Sequence, residues 1–127
     1  MREFIIELDK LTPSNNKLKR MHWAAYKRLK KEFLDLLCIT LPHDQRTFLR
    51  PGTQITITRY GIRQLDKDNL YGGCKPLIDC LQPWPQGIGL ITDDDPDTVT
   101  IRVKQEKVTK KKDQKVEIHF KEVPEDG

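Results

Sequence analysis

The sequence predicts a small α+β domain in which a mixed sheet of about four strands packs against two main helices. Stretches with strand character occur at four places, and helical apolar spacing occurs between them, in the order β, α, β, α, β, β. A chain of 127 residues with eight Pro and seven Gly has the size of one domain. We expect this domain to span residues 1–123, with residues 124–127 as a frayed tail.

The first strand and the first helix are predicted near the amino terminus. Phe4–Leu8 is short and β-rich, and Pro13–Asn16 after it is typical of a helix cap. Apolar residues then recur every three or four positions, which predicts one long helix from about Lys17 to Leu37 that ends before Pro42. Its apolar stripe comprises Leu18, Met21, Ala25, Leu29, Phe33 and Leu36.

Three further strands are predicted by alternation of apolar and polar residues with a period of two. These are Gln54–Tyr60, Val99–Val103 and Lys115–Phe120. We expect the last two to form a hairpin whose tip is the basic segment Lys110–Asp113.

A second helix is expected between the second and third strands, with Asp68 as its cap. Pro76 has no amide hydrogen, so this helix is expected either to kink or to begin anew near Lys75. Residues 82–91 should form an irregular loop because they are rich in Pro and Gly.

The charge distribution is uneven along the chain. There are 23 Lys and Arg against 19 Asp and Glu, but the segment Asp66–Asp97 holds seven acids and two bases, which leaves 21 bases against 12 acids elsewhere. Carboxylates clustered at short range repel one another, so such a cluster commonly binds a divalent cation. An acidic centre within a basic protein would suit an enzyme that cuts a polyanion.

Asp66 and Asp68 are the strongest candidates for metal ligands. On a strand end or an extended turn, residues two apart point the same way, so both carboxylates would face one ion. Mg²⁺ prefers oxygen ligands, and the third would come from Asp94 or Asp95. A calcium loop does not fit, because counting from Asp66 or Asp93 its sixth and twelfth places lack Gly and Glu. The alternative is that Asp68 only caps a helix and the later aspartates form a solvated turn.

Lys75 is the candidate for transition-state stabilisation. It follows Asp68 on, or just before, the same predicted helix. Phosphodiester hydrolysis builds negative charge on phosphate oxygens, and a fixed cation beside a metal stabilises that charge. A bound metal would also lower the pKa of water and supply the nucleophile.

A basic surface for nucleic acid is predicted on the first helix, which has no acid before Glu32. The alternative is a solvated polar face. The residues expected to contact DNA are Asn16, Lys17, Arg20, Lys27, Lys31, Lys110, Lys111 and Lys112.

The composition also bounds the cellular context. No apolar run approaches the roughly 18 residues needed to span a bilayer, which excludes a membrane protein, and the amino terminus lacks a signal-peptide pattern. Three cysteines without a C-x-x-C pair indicate neither a disulfide framework nor a zinc site. We therefore expect a cytoplasmic protein with reduced, mostly buried thiols.

Taken together, several segments resemble the RusA family of Holliday-junction resolvases over nearly the whole chain. They are Pro13–Asn16, Leu65–Leu70, Lys75, Asp79, Ile91–Asp95 and Val99. The resemblance implies a RusA-like fold and a homodimeric, Mg²⁺-dependent endonuclease, with Mn²⁺ as an alternative metal. Such an enzyme resolves four-way DNA junctions by paired nicks during recombination and repair, in a bacterial or phage-infected cell.

Under this resemblance the metal ligands are Asp66, Asp68 and Asp95, and Lys75 is the catalytic lysine. The triple aspartate leaves Asp94 open as the third ligand in place of Asp95. There are two alternative functions. One is that of a non-catalytic branched-DNA-binding protein of the same fold, and the other is that of a nucleic-acid chaperone, which would have no use for clustered aspartates.

Overall fold

The computed structural model describes residues 1–93 and 97–124. It confirms the predicted α+β class, with helices packed on a four-stranded mixed sheet. Residues 82–91 contain no helix or strand, as expected. The elements in chain order are β1 (Glu3–Leu8), α1 (Asn15–Lys19), α2 (Trp23–Thr40), β2 (Thr53–Gly61), α3 (Lys67–Gly73), α4 (Lys75–Asp79), β3 (Val99–Lys107) and β4 (Lys115–Lys121).

The strand order in the sheet is β1-β4-β2-β3. Strand β4 is antiparallel to both β1 and β2, whereas β2 and β3 run parallel. The predicted hairpin between the last two strands is therefore wrong, because β2 lies between them. The connection at residues 108–114 passes the end of β2, where the Val108 N–H donates to the Gly61 carbonyl at 3.0 Å and the Ile62 N–H donates to Gln114 Oε1 at 3.2 Å.

One face of the sheet forms the hydrophobic core with the helices. Alternating residues of the strands are buried on this face, and Phe33 and Leu37 of α2 pack on them together with Leu77 and Ile78 of α4. The opposite face carries mostly polar side chains, because residues alternate between the faces of a strand. Among those polar residues are Thr56, Arg102, Lys104 and His119.

The predicted long first helix is two helices. Helix α1 ends at Lys19, and α2 begins at Trp23 with His22 as its N-cap, whose Nδ1 accepts a hydrogen bond from the Ala24 N–H at 3.2 Å. The apolar spacing continues across the break, so periodicity could not reveal it. The end of α2 at Thr40, before Pro42, agrees with the prediction.

The second helical region also divides. Asp66, and not Asp68, is the N-cap of α3; Asp68 lies within the first turn. The new start predicted near Lys75 is confirmed, since α4 begins there with Pro76 in its first turn, where a missing N–H breaks no intrahelical bond.

The three cysteines are free thiols. Cys74 and Cys80 are buried free thiols and Cys38 is a half-buried one, which confirms the expectation of mostly buried thiols. Burial raises the pKa of both Cys74 and Cys80 to about 11.

Among the described helices, none combines the length and the apolar character needed to cross a membrane.

Candidate metal and nucleic-acid site

Asp66 lies at the edge of the sheet where the parallel strands β2 and β3 end. The preceding residue, Leu65, is fixed to β3 by both of its backbone groups. Its N–H donates to Gln105 Oε1 at 2.9 Å, and its carbonyl accepts from Gln105 Nε2 at 2.7 Å. Loops that follow the carboxyl ends of parallel strands commonly bind ligands, so this position suits a functional carboxylate.

Asn69 holds the Asp66 carboxylate and connects α3 to α1. Its backbone N–H donates to Asp66 Oδ1 at 2.9 Å, and its Nδ2 donates to Oδ2 at 3.0 Å. Its Oδ1 accepts from the backbone N–H of Asn16 at 2.9 Å. The hydrogen bond from the Asn69 backbone, followed by that from its side chain, lowers the pKa of Asp66 below the ordinary value. This exposed carboxylate is therefore ionised at neutral pH.

Asp68 is a second exposed carboxylate in the first turn of α3. The extended arrangement predicted for Asp66 and Asp68 is wrong: Asp66 has extended dihedral angles (φ −67°, ψ 167°), but Asp68 is helical, so the alternation of a strand does not orient the pair. Both carboxylates nevertheless lie at one helix terminus. Their oxygens are the hard ligands that Mg²⁺ prefers.

The third predicted ligand, Asp95, and its alternative Asp94 lie outside the described residues. Within residues 1–93 and 97–124, no three His, Cys, Asp or Glu side chains are grouped so as to hold a metal ion. The Thr98 carbonyl accepts from the Gly52 N–H at 2.9 Å, at the opposite end of the β2–β3 pair from Leu65.

Two glycines bring α3 into close contact with the segment that precedes α1. A Cβ atom on Gly73 would overlap the carbonyl oxygen of Pro13, and one on Gly72 would lie 2.5 Å from Cγ of Asn15. The absence of a Cβ atom at Gly72 and Gly73 therefore allows α3 to lie this close to residues 13–15.

Lys75 lies at the start of α4, close to α2. The pKa of Tyr26 on α2 is raised, first by burial and then by Asp79, whereas Lys75 acts to lower it. Asp79 also forms an ion pair with Lys30 at 3.6 Å. Lys75 and Asp79 thus both lie near Tyr26, and Asp79 links α4 to α2.

The basic face predicted on the first helix is partly neutralised. Lys30 pairs with Asp79, and Lys31 pairs with Asp35 at 2.9 Å. The ammonium group of Lys27 lies over the ring of Trp23, 5.6 Å from its centroid, and this indole is 67% exposed. Sequence reasoning missed Trp23 because it fell on no apolar stripe. The other predicted DNA contacts Lys17, Arg20, Lys110, Lys111 and Lys112 are exposed.

A basic cavity of about 320 Å³ is lined by Leu65, the residue that precedes Asp66. Arg59 on β2 and Arg63 line it, together with Lys10 and Lys17, and none of the described residues that line it is an acid. Sequence reasoning missed Arg59, although a signal was present: it occupies an inward position of β2, in line with Ile55 and Ile57. The remaining lining residues are Leu11, Thr12, Pro13, Ser14, Met21, Leu29 and Leu65.

The chain matches no protein-family model, and no curated protein matches it.

Proposed function

We propose that this protein is a metal-dependent endonuclease that cuts branched DNA, acting as a homodimer that resolves four-way junctions by paired nicks. The observation that carries the proposal is the Asp66 carboxylate, which is ionised, exposed and fixed by Asn69 beside the exposed Asp68. The basic cavity, which Leu65 lines, supplies cations that would attract a polyanion. The segment Asp66–Leu70, with the pattern D-x-D-N-L, resembles the RusA family, and this resemblance points to the same chemistry.

The chain's residues fit Mg²⁺, or Mn²⁺ in its place, as the metal. Asp66 and Asp68 would hold it; Asp95, which the resemblance gives as the third ligand, lies outside the described residues, and Thr98, which follows it in the chain, lies at the opposite end of the β2–β3 pair from Leu65. Both oxygens of Asp66 already accept hydrogen bonds, but a carboxylate oxygen has two lone pairs, so each can still bind a cation. A bound metal would supply Lewis acidity at the phosphate and a nucleophile at neutral pH.

The remaining groups have separate roles in the proposal. Asn69 keeps Asp66 ionised and oriented. Lys75 would stabilise the negative charge that develops on the phosphate oxygens. The exposed cations Lys17 and Arg20 would contact the DNA backbone, which positions a duplex without reading its sequence.

Paired symmetric nicks require two such sites, and a chain of 14.9 kDa supplies one in this proposal. A homodimer with a twofold axis would match the symmetry of an open four-way junction. Large apolar side chains on the described surface are candidates for its interface. They include Ile39, Trp84 and Phe48, which are 81%, 76% and 53% exposed.

The test is cleavage of a labelled synthetic four-way junction with and without Mg²⁺, by wild-type protein and by Asp66→Asn and Asp68→Asn. Both variants should lose cleavage yet bind the junction as well as wild type or more tightly, because loss of a carboxylate also relieves repulsion of DNA phosphates. Asp35→Asn is the matched control, since Asp35 is paired with Lys31 on α2, and it should cut normally.

Two results would contradict the proposal. Wild-type cleavage by Asp68→Asn would move the metal site elsewhere. Tight binding of the junction by the wild-type protein without cleavage in either Mg²⁺ or Mn²⁺ would instead identify a non-catalytic branched-DNA-binding protein.

A further inference from the structure

Arg59 is a buried cation at a position that strands normally fill with apolar residues. It follows Ile55 and Ile57 on the inward face of β2, and it is only 8% exposed. Its guanidinium lies against Gly61, where a Cβ atom would clash with Nη1. The fold therefore leaves space for this side chain at the end of the strand.

The charge of Arg59 is not neutralised by the part of the chain that the structure describes. Its Nε donates to the Thr12 carbonyl at 3.0 Å and its Nη1 to the Arg63 carbonyl at 3.1 Å, and no described carboxylate forms an ion pair with it. Both acceptors are neutral. Burial lowers the pKa of Arg59, as expected for a cation removed from water. Burying a charge without a counter-ion is costly, so an anion at this position would be stabilising.

Arg59 keeps donors that the described fold does not use. A guanidinium has five N–H donors, and these two hydrogen bonds use only two of them. No fully buried side-chain nitrogen or oxygen of the described residues lacks a partner, so the remaining nitrogen, Nη2, is not fully buried. Arg59 also lines the basic cavity.

The other cations of the cavity strengthen the case for an anion. Lys10 already pairs with Glu32 at 2.6 Å, which leaves Arg59, Arg63 and Lys17 as cations without a described carboxylate partner. Like charges that converge on one space repel each other unless an anion separates them. The cavity, of about 320 Å³, lies at the lower end of the range typical of ligand sites.

We propose that this cavity binds a phosphate group of the DNA backbone, with Arg59 as its buried anchor and with Lys17 and Arg63 at its sides. The planar guanidinium fork matches the geometry of phosphate oxygens. This inference rests on the proposed function and adds a subsite to it. Leu65 and Ser14 line the cavity, and they precede Asp66 and the Asn15–Asn16 pair by one residue in the chain, so an anchored phosphate would bring the same DNA strand to Asp66 and Asp68.

The first test uses inorganic phosphate as the probe and needs neither metal nor DNA. Titration followed by NMR should give saturable shifts of the Arg59 Nε–H and of the Ser14–Lys17 backbone amides. Lys17→Gln/Arg63→Gln should weaken phosphate binding by about tenfold, because each side chain offers a charge-assisted hydrogen bond. This double variant keeps the backbone carbonyl of Arg63, which accepts a hydrogen bond from Arg59. Arg59→Lys, which keeps the charge but loses the fork, should also bind phosphate more weakly, with folding checked by circular dichroism.

Arg102→Gln/Lys104→Gln is the matched control, because it removes the same two residue types from the opposite face of the sheet. Phosphate binding should then change by less than about twofold, as expected for distant, screened charges. Equal losses in the two double variants, or no saturable phosphate binding by the wild type, would overturn the proposal.

The second test measures junction affinity and separates this inference from the proposed function. Lys17→Gln/Arg63→Gln should raise the apparent Kd for a four-way junction by about tenfold and reduce the log–log salt slope by about two. Cleavage that persists with unchanged junction affinity in this variant would reject the subsite while sustaining the nuclease. If the protein bound phosphate saturably but bound no DNA, the cavity would be a site for free phosphate and not for a phosphate group of the DNA backbone.

Discussion

The two basic regions of the molecule differ in how much of their charge is available. On α2, Lys30 and Lys31 are paired with Asp79 and Asp35. In the cavity at the end of β2, Lys10 is paired with Glu32, but Arg59, Arg63 and Lys17 have no described carboxylate partner. The α2 region is the more conspicuous in the sequence, but one of its pairing partners, Asp79, comes from α4, and the other, Asp35, lies on α2 itself. A count of charges along a sequence therefore overstates one surface and misses the other.

The carboxylates of the acidic segment divide in the same way. Asp66 accepts only from amide groups and keeps its negative charge exposed, whereas Asp79 is half-buried and pairs with Lys30. Asp79 thus helps to pack α4 on α2. We expect variants at the Asp66 end of this segment to affect catalysis and variants at the Asp79 end to affect folding.

The largest effect expected among the remaining variants is that of Lys75→Ala. Loss of a contact made mainly in the transition state should reduce single-turnover cleavage at saturating protein by about two orders of magnitude, with little change in junction affinity. Lys31→Ala removes a lysine that already has a carboxylate partner and should cut normally. If Lys75→Ala lost affinity but cut at the wild-type rate when saturated, Lys75 would be only a phosphate anchor.

The next largest effect is expected on stability, when the close contact between α3 and the segment that precedes α1 is disturbed. Gly73→Ala should lower the free energy of unfolding by about 2 kcal/mol, because the new methyl group overlaps the Pro13 carbonyl and forces the helix away. Gly89→Ala is the control: its positive φ of 82° costs about 1 kcal/mol, but no atom lies within 4 Å of the added Cβ. Urea denaturation measures both, and equal losses would show that close packing at Gly73 is unimportant.

The comparison also shows which features the sequence could predict. Strand β1 was predicted from its β-rich composition and β2 to β4 from alternation over a few residues, and each prediction overlaps the observed strand. Strand β3 continues beyond the predicted end at Val103 to Lys107. Which strands are neighbours depends on contacts between distant segments. The false hairpin between β3 and β4 arose because nothing local indicates that β2 separates them.

The candidate site was predicted by residue type but not by geometry. The D-x-D-N-L segment pointed to Asp66 and Asp68, but it did not indicate that Asp66 is the cap of α3, through a hydrogen bond that its Oδ1 accepts from the backbone N–H of Asn69. Arg59 was missed because its role depends on the cavity formed with Lys17 and Arg63, which are distant from each other in the chain.

Salt dependence provides a smaller and more direct test of how carboxylate pairing limits the available charge on α2. Lys27→Gln/Arg28→Gln removes exposed cations and should reduce the log–log salt slope for junction binding by between about one and two. Lys30→Gln/Lys31→Gln removes paired cations, which should reduce the slope by less than about one. Equal slopes in the two variants would show that pairing with carboxylates does not decide which cations of α2 contact DNA.

The smallest expected effect is a change in the pKa of Asp66. In wild type, hydrogen bonds from the Asn69 backbone and then from its side chain lower this pKa. Asn69→Ala keeps the backbone donor and removes the side-chain donor, so the pKa should rise part of the way to its ordinary value. A carboxyl group whose pKa is depressed in the folded protein stabilises the fold at pH values above its ordinary pKa. This stabilisation disappears as the pH falls through the pKa that the group has in the folded protein. In the variant it should therefore disappear at a higher pH.

Carboxyl carbon NMR titration would measure this shift, with Glu122 as an internal control. Burial alone would raise the pKa of Glu122, but hydrogen bonds from the Arg2 and Arg50 backbone amides lower it, and Asn69 takes no part in them. Glu122 should therefore titrate identically in both proteins. If the pKa of Asp66 did not change in Asn69→Ala, the side-chain hydrogen bond would not contribute in solution, and the helix terminus alone would keep this carboxylate ionised. Asn69 would then connect α3 to α1 without tuning the candidate metal ligand.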